Sequence, residues 1–308
     1  MRFAVLLAVA GVASTYTVTT ASRFMEKNFD PIVIPGKYES HLHTFFGSDA
    51  VTPTTNTSKE LQAGCSTAQN PNDYSSYSLG VPSLVVKKDN GSVERVPVSR
   101  FSAYYVGIEN AEIAIPQDFK NVHAGHSWFC EGSDSGKKDP SAFPTMTCKT
   151  HLQTILLFHD CVNPETLESD YSGTQHWSSW GVPPNRCPPD WKRIPQLRFS
   201  IRYDLRKVLP DGWSAAPPLE LACGNSYCFH GDFINGWLPE AAENMLLANS
   251  KREFAGVSGP NGNFNDGSVC GSENAHDQNP AEGTSDYLEA SKIVADAKAD
   301  KVEDAFQS

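Results

Sequence analysis

Phe229-His230-Gly231-Asp232-Phe233-Ile234-Asn235-Gly236-Trp237 mixes aromatic, ionisable and small residues over nine positions. Read as an extended strand, its period of two sends His230, Asp232 and Ile234 to one face and Gly231, Phe233 and Asn235 to the other. An imidazole and a carboxylate then lie side by side. The same spacing occurs in Ser40-His41-Leu42-His43-Thr44, almost two hundred residues earlier. Joint use of the two pairs therefore requires the fold to bring them together.

Working outward, helical periodicity is scarce before residue 238, and 21 Pro and 22 Gly are spread along the chain. Many short strands with long loops follow from that pattern. The expected fold is mainly β, a β-sandwich or jelly-roll-like single domain with long loops and a few peripheral helices. Val81–Lys87 and Ser92–Val98 flank Asp89-Asn90-Gly91, a hairpin signal. Phe101–Ile108, Glu112–Ile115, the run around Leu152–Leu157 and the alternating Leu197, Phe199 and Ile201 read as further strands. Residues 48 to 80, rich in Ser, Thr, Asn and Gly, read as a long surface loop. Pro239 opens a helix to about Asn249, and Asp286-Tyr287-Leu288-Glu289 resembles a capping box opening a last one.

The chain starts Met1-Arg2 and continues with an apolar run to Ala13, too short to span a membrane and readable as a signal peptide. Small residues permit cleavage after Ser14 or after Ala21. The expected organisation is a leader over residues 1–21, one β-rich domain over 22–283 and an acidic C-terminal helix over 284–308. Secretion, outside the cell or into the cell wall, follows. The formal charge is −11, and removing the leader with its Arg2 changes 25 − 36 to 24 − 36, or −12. Such a chain is a poor partner for nucleic acid or an anionic membrane surface. No later segment has the length of a membrane span, and a soluble monomer is expected.

Eight cysteines in a secreted chain favour disulfides over a metal cluster. Cys223 and Cys228 could close a tight loop, and Cys130 with Cys148 or Cys161 with Cys187 could close medium ones. Eight cysteines allow 105 pairings, so other connectivities stay open. Asn56-Thr57-Ser58 and Asn90-Gly91-Ser92 are glycosylation acceptors in such a compartment.

Several elements together resemble a secreted, mostly fungal family catalogued as domain of unknown function nineteen-ninety-six. They are Asp30–Gly36, the His41-Leu42-His43-Thr44 step, the cysteine after a β run at Cys161, the Cys187 to Pro195 step and the HGDFxNGW element at 230–237. The resemblance covers roughly residues 28 to 250. It implies organisation and secretion, and no activity. The chain departs from the family's Cys-Trp-Asp-Gly by reading Cys161-Val162-Asn163-Pro164, and His176 matches a histidine that follows.

His41 and His43 on one strand face can chelate one cation, with His230 as a third ligand and Asp232 as a fourth or as an orienting group. One zinc or copper ion suits so nitrogen-rich a set. The same four residues serve a metal-free mechanism in which a carboxylate-held histidine is the general base. Against both stands a purely structural use of the histidines. Trp177 and Trp180, in a polar loop beside His176, are candidate sugar platforms, and Arg193 is a candidate partner for a sugar acid. The leading expectation is a carbohydrate-active protein acting on cell-wall or plant polysaccharide. The alternative is a non-catalytic glycan-binding or cell-surface interaction module, and a third is a structural wall protein.

Overall fold

A computed structural model describes residues 16–79, 84–123, 125–133, 139–172, 186–213, 216–221, 223–248 and 257–263. Two five-stranded antiparallel sheets carry the fold. The first has the order β1 (Tyr16–Ala21), β7 (Val98–Val106), β14 (Gln196–Tyr203), β10 (Leu152–Leu157) and β9 (His126–Cys130). The second has the order β2 (Arg23–Lys27), β3 (His43–Gly47), β4 (Ser76–Leu79), β16 (Gly231–Ile234) and β8 (Lys120–His123).

Period-two patterning makes the sheets stack. Tyr77 and Phe233 from the second sheet meet Phe199 of the first and Phe158 just past the end of β10, with centroids 5.7 Å and 6.5 Å apart, and Phe46 stacks on Phe101 at 4.2 Å. The molecule is a β-sandwich, and this aromatic interior is its main core. A buried chain of donors crosses it. The Trp237 indole N–H donates to the Tyr105 hydroxyl at 2.8 Å, Tyr105 to Tyr77 at 2.6 Å, and Tyr77 to the Asp73 carboxylate at 2.6 Å.

Two three-stranded sheets sit at the periphery. One joins β5 (Val85–Lys87), β6 (Val93–Arg95) and β15 (Leu219–Glu220); the other joins β11 (Cys161–Val162), β12 (Ser169–Asp170) and β13 (Lys192–Arg193). β5 and β6 form the expected hairpin around Asn90-Gly91, with Val85 opposite Arg95. Disulfides join Cys130 to Cys148, Cys161 to Cys187 and Cys223 to Cys228. Among the described residues no helix is long and apolar enough to cross a membrane.

Three local expectations are corrected. Of residues 48 to 80, the described 48–79 do not form a surface loop: α1 (Ser58–Gln62) and β4 lie within them, and Ser48, Ser58, Ser66, Asn70 and Asp73 are buried. Their polar groups are answered by backbone, as when Ser48 Oγ donates to Leu61 O at 2.6 Å and Ser58 Oγ to Asn235 O at 2.5 Å. This segment covers the outer face of the second sheet, where Phe24, Phe29, Phe45, Val51, Leu61 and Ile234 form a second core. Glu112–Ile115 is not a strand: Glu112 and Ile113 form a bend whose two amides share the carbonyl of Arg193, and no ladder continues through Ala114 and Ile115. α2 (Pro239–Met245) starts at the expected proline and is shorter than expected.

β1 begins at Tyr16, inside the segment that a leader of residues 1 to 21 would remove. Of the two cleavage positions, the one after Ser14 leaves this strand whole. The acidic helix over 284–308 lies outside the described residues.

Candidate functional site

Both β3 and β16 pair antiparallel with β4, so they run parallel to each other, one on each side of it. Phe45 and Asp232 both face Ser78 across the ladder. Counting back by two places His43 beside Phe45, and His230 beside Asp232, on the outer face. The histidine-bearing approaches to the two strands thus emerge at one end of the sheet. The His41 ring stacks on that of His43 at 4.6 Å and meets the His230 ring edge-on at 4.8 Å; His43 and His230 are 5.7 Å apart.

The inward face of β16 is structural. A Cβ on Gly231 would run into Leu156 and Phe199 of the opposite sheet, and one on Gly236 into the backbone carbonyl of Tyr74. Asn235 is a buried clamp: its Nδ2 donates to Pro116 O at 2.8 Å and to Ile115 O at 3.2 Å, while its Oδ1 accepts from Trp237 N at 3.1 Å. Trp237 is core. The first half of the 229–237 stretch therefore builds a site and the second half locks the sandwich.

His43 Nδ1 lies 2.9 Å from the His41 carbonyl, and His230 Nδ1 lies 3.2 Å from the Cys228 carbonyl. A carbonyl only accepts, so each Nδ1 carries a proton, and in the neutral form of either ring the lone pair is on Nε2. His43 Nε2 is 3.1 Å from Asp232 Oδ2 and 4.0 Å from Asp30 Oδ2, and it makes no aligned hydrogen bond. Asp232 Oδ1 has no hydrogen-bond partner, while its Oδ2 accepts from Ser78 Oγ at 3.1 Å. Asp30 is held by the amides of Ile32 and Val33, both donating to its Oδ1 at 2.8 Å.

Possible ligand atoms thus converge at one place. One donor atom from each of His41, His43 and His230 lies within 4.8 Å of the other two, and the same limit holds for Asp30, His43, His230 and Asp232. Ligands around one tetrahedral ion with bonds near 2.0–2.1 Å stand roughly 3.4 Å apart, so movements of about 1 Å close the set. Burial alone would push the pKa of His43 down; the Asp232 carboxylate, with Asp30 behind it, outweighs burial and raises it. Burial opposes ionisation of Asp232, yet the electrostatic influence of His230 and the contacts with His43 and Ser78 hold its pKa below the usual carboxylate range. His43 and Asp232 are buried, whereas His41 and His230 are half-buried, so the set has a closed side and a side reaching solvent.

The other candidates lie elsewhere. Arg193 donates through Nη2 to Asp160 Oδ2 at 2.9 Å and to Ser172 Oγ at 3.0 Å, neutralising a fully buried carboxylate. His176, Trp177 and Trp180 lie outside the described residues. Asn56 is exposed and accepts from Lys120, and Asn90 is exposed in the β5–β6 turn, where it accepts from Ser92 N at 3.0 Å. Asp30 is the residue that sequence reading missed, since Asp30-Pro31 signals a turn and nothing in its neighbours points to His43. A further cluster joins His123, His159 and Tyr171, with the Tyr171 hydroxyl donating to Leu157 O at 2.5 Å and accepting from His123. Burial and the adjacent His159 and His126 lower His123 to about 4.

A family model described as a domain of unknown function (DUF1996) matches residues 30–237, a span that starts at Asp30 of the site and ends at Trp237 of the core. No curated protein and no solved structure matches the chain.

Proposed function

Starting from the fact that this chain belongs to the DUF1996 family, whose description names no activity, we propose a secreted carbohydrate-active protein that works on cell-wall or plant polysaccharide. Its centre is one zinc or copper ion held by His41, His43 and His230, with Asp232 as a further ligand or as the group that orients His43. The observation that carries this reading is the convergence of possible ligand atoms: one ring nitrogen from each of His41, His43 and His230, and one atom from each of Asp30, His43, His230 and Asp232, lie within 4.8 Å of one another. Imidazole nitrogens and carboxylate oxygens gathered this closely are the ligand types that a zinc or copper ion takes.

A bound ion of this kind supplies Lewis acidity and an activated water, or redox chemistry if it is copper. The chain supplies the positioning. Backbone carbonyls fix the tautomers of His43 and His230, Ser78 steadies Asp232, and the half-buried His41 and His230 border the side from which a sugar hydroxyl would approach. The three disulfides among the described residues fit an oxidising compartment, and an acidic chain suits a neutral or locally captured glycan better than a nucleic acid.

One observation favours a metal-free variant of the same reading. The 3.1 Å approach of His43 to Asp232 and the raised pKa of His43 suit a carboxylate-supported general acid–base pair. Elemental analysis of protein purified without a histidine tag separates the two. About one equivalent of zinc or copper, lost in His41→Ala and in His230→Ala, supports the metal centre. No metal in folded wild type overturns it and leaves the acid–base pair, which a screen for polysaccharide turnover then tests. Binding of glycans without turnover would identify a non-catalytic module.

A further inference from the structure

A second feature lies away from the histidines. Between the loop at Asn110–Glu112 and the segment Arg186–Arg193 is an open cavity of about 320 Å³, lined by Asn110, Glu112, Arg186, Cys187, Trp191 and Arg193. Its size falls at the small end of ligand sites, which run from roughly 300 to 1,000 Å³.

The walls are fixed. The Cys161–Cys187 disulfide ties one side to β11, and Arg193 is anchored on Asp160 and Ser172. Glu112 is docked twice on Arg193, its N donating to Arg193 O at 2.8 Å and its Oε2 accepting from Arg193 N at 3.0 Å.

The charges around the cavity single out one residue. Lys192 answers Glu112 at 3.4 Å, and Asp160 answers Arg193 at 2.9 Å. Arg186 is exposed and makes no ion pair among the described residues. A guanidinium with no ion pair among the described residues, in a protein of net charge −11, is the local place where an anion is welcome. Its planar fork matches a carboxylate. Trp191 is half-buried and adds an aromatic surface of the kind on which the apolar face of a sugar ring packs.

We propose that this cavity binds a carboxylated sugar, a hexuronate unit of an acidic polysaccharide, with its carboxylate on Arg186 and its ring on Trp191. The ligand class rests on the polysaccharide reading above, but binding here does not need the histidine site.

The test is a calorimetric titration of the full chain with trigalacturonate and with its neutral counterpart galactotriose, alongside Arg186→Ala, Trp191→Ala and His230→Ala. The acidic trisaccharide is expected to bind at least about tenfold more tightly than the neutral one. Arg186→Ala should lose at least about tenfold in affinity at an unchanged melting temperature. His230→Ala should bind like wild type, so loss of the metal centre and loss of this subsite read out separately. Equal binding of the two sugars, no binding of either, or undiminished affinity in folded Arg186→Ala overturns the proposal. Because Trp191 is half-buried, its variant counts only where the melting curve matches wild type, and the exposed Arg186 is the deciding position.

Discussion

Nε2 of His43 and Oδ2 of Asp232 stand 3.1 Å apart although β3 and β16 share no backbone hydrogen bond. The strand between them, Ser76-Tyr77-Ser78-Leu79, makes the meeting possible. Tyr77 and Leu79 fill the interior, and Ser78 is small enough to leave room above it for both side chains while donating to Asp232. A large side chain at 78 would separate the pair.

Asp232→Asn keeps the shape and removes the charge. Metal affinity, measured by competition with a chelator, should fall by about ten- to a hundredfold, the usual cost of losing a carboxylate at or beside a ligand. Unchanged affinity would remove Asp232 from the centre.

Arg193→Ala should act on stability and leave metal content alone. Among the described residues it leaves the buried Asp160 carboxylate with Ser172 as its remaining side-chain hydrogen-bond partner, and breaking a buried ion pair from one side costs about 3 kcal/mol or more. Thermal unfolding measures this. Simultaneous Asp160→Asn should recover part of the loss, because the orphaned charge disappears with it.

Asp73 produces a pH effect with a definite sign. Burial, working against hydrogen bonds from Tyr77 and Ser75, raises its pKa from 3.8 to about 6. Between those values the folded chain keeps a proton that the unfolded chain has released. Stability from this group is therefore lost as pH rises from about 4 to about 6 and is level above, a change of roughly 3 kcal/mol. Urea unfolding across pH 4 to 7 should show the difference between wild type and Asp73→Asn following this curve. A pH-independent difference would contradict it.

If the chain is secreted as proposed, its mature form should begin at Thr15. β1 pairs with β7 over six positions, from Tyr16 opposite Val106 to Ala21 opposite Phe101, and Val18 and Ala21 are core. Cleavage after Ala21 would remove the whole strand. N-terminal sequencing or intact mass of the secreted protein decides, and a chain expressed from Ser22 should melt lower than one expressed from Thr15.

What could be read locally in the chain was what depends on near neighbours. Alternation at Leu197–Ile201 and the Asn90-Gly91 turn announced strands and a hairpin, and the period of two placed His230 with Asp232 and set His41 near His43. Polar segments were misread, because Ser, Thr and Asn look alike whether water or buried backbone satisfies them. For that reason β4 and the covering segment 48–75 were hidden. The resemblance of the HGDFxNGW element to its family was legible as well, but its division into a site half and a locking half was not.

The chain alone determined the side on which each ionisable residue leaves its strand, since that follows from backbone pleat. Only the tertiary structure decided that β3 and β16 flank the same strand in parallel, that Asp30 joins them, and that Arg193 belongs to Asp160. Strand order and cross-chain pairing are set by the burial of two whole sheet faces against each other, a sum over residues far apart in sequence that no single stretch contains.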